Sequence, residues 1–169
     1  MQKITRLLIA SFFASIMFIM RFFVPVPFDR LLIAVDAVLF ALSALFVKNL
    51  GATYVGVVSG VLIGLWLPSL IPFSILFWSL YGALVDVFIF LFRVNATKEG
   101  VDRNRLVAAM SFGTLLIALL SYYASTVLGI VPSFPVIDVL VLFMGPASGV
   151  SSGYAAAYLW NKYLKAMIV

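Results

Sequence analysis

This 169-residue chain contains no cysteine and no histidine. Disulfides, thiol redox chemistry, imidazole-based metal sites and the serine–histidine or cysteine–histidine hydrolases are excluded by that alone. Charge is scarce too. Only 10% of residues are charged, and the six acids are scattered over several segments, with no spacing that would gather them around a metal. No glycine-rich phosphate loop with its lysine is present, so nucleotide binding is not expected; no cofactor is expected either. No stretch is long and polar enough for a separate soluble domain. What remains is apolar, with 65% hydrophobic residues and a mean hydropathy of +1.22. Lipid allows a spanning backbone only two solutions, the helix and the closed barrel. The apolar runs here are continuous, not alternating, which selects helices.

Six such runs, at about residues 7–24, 31–47, 51–71, 74–94, 106–131 and 137–160, predict a single all-α membrane domain over residues 1–169, a compact six-helix bundle. Lys3 and Arg6 before the first run resemble the start of a signal peptide, but no soluble mature domain follows, so the run is read as a span. With the N terminus inside, nine of the eleven basic residues are cytoplasmic: Lys3, Arg6, Lys48, Arg93, Lys98, Arg103, Arg105, Lys162 and Lys165. Only Arg21 and Arg30 fall outside. The positive-inside rule therefore puts both termini in the cytoplasm. The net charge of +5 is explained by topology and does not form a nucleic-acid-binding patch.

Glycines recur every fourth residue in two runs, as Gly56, Gly60 and Gly64 in the third and Gly145, Gly149 and Gly153 in the sixth. Each set predicts a smooth ridge for close helix packing. Their matching places in two three-helix halves are what an inverted repeat would give. Pro146 removes a backbone donor in mid-span, so residues 144–148 are expected to kink or break, with Ser148, Ser151 and Ser152 reseating the freed carbonyls.

The fourth run carries one carboxylate, Asp86, near its middle. A charge at that depth costs about 2.5–3.5 kcal/mol on insertion scales, so it has a partner or a task. Trp78, Tyr81, Gly82 and Val85 share its helix face. Two readings stand: a structural hydrogen bond between helices, or a place on a ligand path. Asp36 is expected to pair with Arg21 or Arg30. The adjacent Tyr122 and Tyr123 must point in different directions, so one of them can face inward. Trp78, Tyr81, Asp86, Tyr122 or Tyr123, Asp138 and Ser148 would line an outward pocket. Aromatic walls with carboxylates suit a planar, nitrogen-containing, cationic solute. No catalytic constellation is seen, and active uptake would need an energising partner.

The first run places Ala10 and Ala14 four residues apart around Ser11, Phe12 and Phe13. Six spans in so short a chain, with that pair, resemble the substrate-capturing S component of energy-coupling-factor (ECF) vitamin transporters. Residues 47–52 and the fourth-helix stretch from Tyr81 to Asp86 are similar to the YkoE type, associated with the thiamine precursor hydroxymethylpyrimidine. This chain has Tyr81 where that pattern has Gln and Asp86 where it has Glu. The resemblance implies that Ala10 and Ala14 contact a transmembrane coupling subunit, that cytoplasmic ATPase subunits complete the transporter, and that the assembly sits in a prokaryotic plasma membrane. A different class of function stays open, a non-transporting membrane scaffold resembling the MreD cell-shape subunit, in which Asp86 would pair with a neighbouring helix.

Overall fold

Local signals in the sequence set the ends of six helices in a computed structural model, which describes residues 3–24, 32–47, 50–68, 71–97, 99–129 and 134–165. They are α1 (Lys3–Phe23), α2 (Leu32–Val47), α3 (Gly51–Trp66), α4 (Phe73–Leu91), α5 (Arg103–Val127) and α6 (Pro135–Leu159), the last running into a π-helical turn over Trp160–Leu164. Helix α5 starts before the apolar run because Asp102 caps it, accepting from the backbone amides of Asn104 at 3.0 Å and Arg105 at 3.3 Å. Pro135 opens α6 at a position where the missing N–H has no helical partner to lose. Helix α3 ends at Trp66, five residues short of the expected 71. Pro68 disfavours helical geometry at Leu67, which sits at φ −120° and ψ 79°.

Three of these helices are long and apolar enough to cross a membrane: α4, α5, and α6 with its π turn. Helices α2 and α3 have 16 residues each. At 1.5 Å per residue they rise about 24 Å, against a hydrocarbon core of about 30 Å. Together with the apolar part of α1, Leu7–Phe23, they make a second set of three that is apolar but shorter.

Contacts between helices sort into two ends. At one end Phe46 of α2 meets Trp160 at 4.8 Å, Asn161 holds Val101 before α5, and Asp86 of α4 reaches the start of α3. Arg93, Arg103, Arg105, Lys162 and Lys165 belong to this basic end. At the opposite end Arg21 of α1 meets Asp36 of α2, and Phe22 lies 4.5 Å from Trp66.

Helix α2 is buried along nearly its whole length and has no polar stripe, as suits the central helix of the bundle. Around it the expected glycine ridges do pack closely. A methyl group added at Gly60 would lie 2.9 Å from Ile75 Cα on α4, and one at Gly153 would lie 2.8 Å from Val107 Cα on α5. The ridges thus bring α3 onto α4 and α6 onto α5. An inverted repeat would instead relate the α3–α4 contact to one between α6 and α1, whereas α6 packs on α5 and α2. The packing does not follow the repeat. Nor does α6 break: it continues as one helix through Pro146. The hydroxyls of Ser148, Ser151 and Ser152 bond to carbonyls three or four residues back, and none takes the Leu142 carbonyl that Pro146 leaves without its helical donor.

Candidate functional site

Near the end opposite the basic one, α1, α2 and α4 bring a charge pair and three aromatic rings together inside the bundle. The pair is the one expected from the sequence. Arg21 Nη2 donates to Asp36 Oδ2 at 2.9 Å, and the Asp36 side chain is only 2% exposed. Arg30, the other expected partner, lies outside the described residues, as do Lys48 and Lys98. The Arg21 guanidinium also sits 4.5 Å from the centroid of the Trp78 ring, a distance at which the ring face attracts a cation.

Helical spacing explains the rest of the cluster. Phe40 follows Asp36 by four residues, so it lies one turn along the same face of α2. It stacks on Trp78 with centroids 5.8 Å apart and tilts against Tyr81 at 4.7 Å. On α4, Ser74, Trp78 and Tyr81 stand at i, i+4 and i+7 and share one face. Ser74 packs beside Gly64, whose missing side chain leaves room for it. Phe40 and Ser74 are not predicted from sequence, and Arg21 and Asp36 are expected there only as an ion pair and not as lining of a site. Ser74 lies four residues from the expected Trp78, and Phe40 four from Asp36.

Complete as an ion pair, the cluster is incomplete as a hydrogen-bond network. Arg21 Nε, Asp36 Oδ1, Ser74 Oγ and Tyr81 Oη are all buried without a partner among the described residues. An unsatisfied buried group costs about 1–3 kcal/mol. The open atoms comprise a guanidinium N–H donor, a carboxylate acceptor and two hydroxyls that can do either. These atoms have essentially no accessible surface, so a planar guest with both donor and acceptor edges would reach them, beside the three aromatic rings, only if α1, α2 and α4 part to admit it.

Asp86 does not belong to this cluster. Its carboxylate accepts from the backbone amide of Ala52 at 3.2 Å, from that of Thr53 at 2.8 Å and from the Thr53 hydroxyl at 2.7 Å. These amides open α3, whose own N-cap residue, Leu50, offers no side-chain acceptor. Asp86 therefore caps α3 from α4, where an anion also meets the positive end of the helix dipole. Of the two sequence readings, the interhelical hydrogen bond accounts for all three donors. A helix that begins Leu50-Gly51-Ala52 without a capping side chain was the available signal that an acceptor must come from elsewhere. Asp86 does border a cleft of about 570 Å³ at the basic end, shared with Leu45, Leu50, Phe90, Arg93 and Asn95.

The other expected residues are dispersed. Tyr122 is buried and stands beside Asp138, although its hydroxyl makes no hydrogen bond of good geometry. Tyr123 is 56% exposed and points away from the interior, so of the two tyrosines Tyr122 is the inward one. Ser148 bonds within its own helix. The structure thus joins Trp78 and Tyr81, sets Tyr122 beside Asp138 without a hydrogen bond, and leaves Asp86, Tyr123 and Ser148 apart. Ala10 and Ala14 are buried as well, at 2% and 0% exposure, within the chain's own core beside α2 and α3. The shallow face they make is used for internal packing and is not open to a partner subunit.

Compared with known proteins, the chain matches no family model, and neither a curated sequence nor a solved structure is significantly similar to it.

Proposed function

We propose that this chain is the solute-binding membrane subunit of an ATP-driven uptake transporter of the energy-coupling-factor kind, for a vitamin or vitamin precursor such as hydroxymethylpyrimidine. In this reading all six helices are embedded in a prokaryotic plasma membrane with both termini inside. The basic end faces the cytoplasm, as the positive-inside rule requires. The observation that carries the proposal is the set of four unpartnered buried atoms around Arg21, Asp36, Ser74 and Tyr81. A bundle built only for rigidity gains nothing from leaving them open, whereas a polar guest would satisfy them. The site would open on the non-cytoplasmic side, the side from which an uptake system collects its solute. Energy would come from cytoplasmic ATPase subunits through a transmembrane coupling subunit. Since Ala10 and Ala14 are covered, that subunit would meet another face of the bundle.

One observation favours a second reading, a non-transporting scaffold resembling MreD. The acid and the alanine pair that pointed to transport both serve internal packing. Affinity purification from the native membrane, followed by uptake measurements in vesicles, separates the two. The transporter reading expects retrieval of a hydrophobic coupling subunit with ATPases, and ATP-dependent accumulation of labelled hydroxymethylpyrimidine or thiamine. Retrieval of cell-shape proteins without accumulation of either compound favours the scaffold.

A further inference from the structure

At the basic end, α5 and α6 enclose a groove of about 420 Å³ that the solute site does not involve. It is lined by Arg103, Tyr154, Ala157, Tyr158, Asn161 and Lys162. Both of its charged groups are cations. The guanidinium of Arg103 lies 5.2 Å from the Tyr154 ring centroid, and Lys162 Nζ lies 5.2 Å from the ring centroids of Tyr158 and Tyr163. Lys162 Nζ also donates to Tyr158 Oη at 2.8 Å. Neither cation meets a carboxylate: the ion pairs among the described residues are Arg21 with Asp36 and Arg105 with Asp102. Asp102, one of the acids nearest in sequence, is further occupied by the first amides of α5, and Glu99 does not line the groove.

The floor and the flank have different chemistry. Asn161 is fixed, because its side chain accepts from Val101 N at 2.7 Å and donates to Val101 O at 3.1 Å. Along α6 the groove continues into an exposed apolar strip. Tyr158, Tyr154, Val150 and Phe143 succeed one another at helical spacing and are each about half exposed or more. A doubly cationic head position thus stands over a strip for hydrocarbon, with tyrosines at the level where a membrane interface favours them.

We infer that this groove binds one anionic phospholipid, its phosphodiester held between Arg103 and Lys162 and an acyl chain lying along Tyr154, Val150 and Phe143. Charge complementarity selects this occupant. A zwitterionic lipid would bring a cationic amine to a groove that has no carboxylate to receive it. The inference rests on the membrane embedding in the proposed function, and not on the identity of the solute or on the coupling to ATPases.

Native mass spectrometry of the full chain released from nanodiscs tests it, with phosphatidylglycerol and phosphatidylcholine of identical chains supplied in equal amounts. Each basic side chain at an acidic surface contributes about fivefold in affinity, so two give a preference of about 25-fold for phosphatidylglycerol. The double variant Arg103→Gln/Lys162→Gln should lose that preference. The variant Arg93→Gln/Arg105→Gln removes the same charge from the same end and should keep it. Equal retention of the two lipids by the unaltered chain overturns the inference, and so does equal loss in both double variants, which would mean diffuse charge. Displacement of the lipid by millimolar inorganic phosphate would also overturn it, since the groove would then be a site for soluble anions. Failure of the membrane reading itself shows differently: the chain would be extracted from native membranes by alkaline carbonate and would not enter nanodiscs at all.

Discussion

Asp86 and Thr53, 33 residues apart in the chain, are joined twice: the Asp86 carboxylate accepts both the amide and the hydroxyl of Thr53, at 2.8 and 2.7 Å. This contact locks the start of α3 to the last turns of α4, where Gly82 lets the two backbones meet. It turns the lone carboxylate of the fourth helix into a part of its architecture.

The substitution Asp86→Asn therefore acts on stability. Hydrogen bonds to a charged group are worth about 1.5–3 kcal/mol, and the amide cannot accept all three donors or match the helix dipole. Thr53→Val, which removes the hydroxyl alone, should cost about 1 kcal/mol. Thermal unfolding in detergent reads both. Solute binding by the folded Asp86→Asn variant should be unchanged; a variant of unaltered melting temperature that no longer binds would return Asp86 to the ligand path.

For the ion pair, one change is worse than two. Arg21→Met leaves Asp36 buried with no counter-charge and should cost about 3–5 kcal/mol, whereas adding Asp36→Leu restores most of the loss. A double-mutant cycle on the unfolding midpoint measures the coupling. Additive effects would mean that the two charges do not depend on each other.

Two glycine-to-alanine changes should have opposite signs. At Gly149 a methyl would meet Ser111 Cα at 2.5 Å and would force α5 and α6 apart. Overpacking of this kind costs about 1–3 kcal/mol. At Gly113 the nearest atom lies at 3.6 Å, an ordinary contact, and the better helix former should add up to about 1 kcal/mol. Melting temperatures of the two variants decide this.

Asn161 ties the segment before α5 to the end of α6 through both polar groups of Val101. Asn161→Leu should forfeit about 1–3 kcal/mol locally, taking each hydrogen bond at 0.5–1.5 kcal/mol. Tryptic cleavage between Arg93 and Arg103 should accelerate without a matching fall in global melting temperature. Unchanged cleavage would show that other contacts hold this segment.

Much of the fold was legible because its determinants are local. Continuous apolar runs predicted six helices. Asp102, Pro68 and Pro135 moved three of their ends against hydropathy, while α1 starts earlier than its apolar run and α4 and α5 end three and four residues before theirs. The ridges of Gly56, Gly60 and Gly64 and of Gly145, Gly149 and Gly153 were visible as spacing, but spacing does not name the helix that receives each ridge. The same limit applied to the site. The Arg21–Asp36 pair could be foreseen because it spans one connection and both residues sit near its ends. Asp86 stood out as a charge in mid-run, yet its partners lie across a helix hairpin, where backbone amides carry no mark in the sequence. Ala10 and Ala14 showed a shallow face without showing which helices would cover it.

The central claim is that the open polar atoms around Arg21, Asp36 and Tyr81 receive a small solute. Mass spectrometry of the molecules released from the purified protein, after incubation with a mixture of vitamins and their precursors, tests it most directly. The unaltered chain and Asp86→Asn should release the same compound, planar and nitrogen-containing, while Tyr81→Phe and the Arg21→Met/Asp36→Leu pair should release little or none. Equal release from the Arg21→Met/Asp36→Leu variant, or no compound from the unaltered chain, would contradict it.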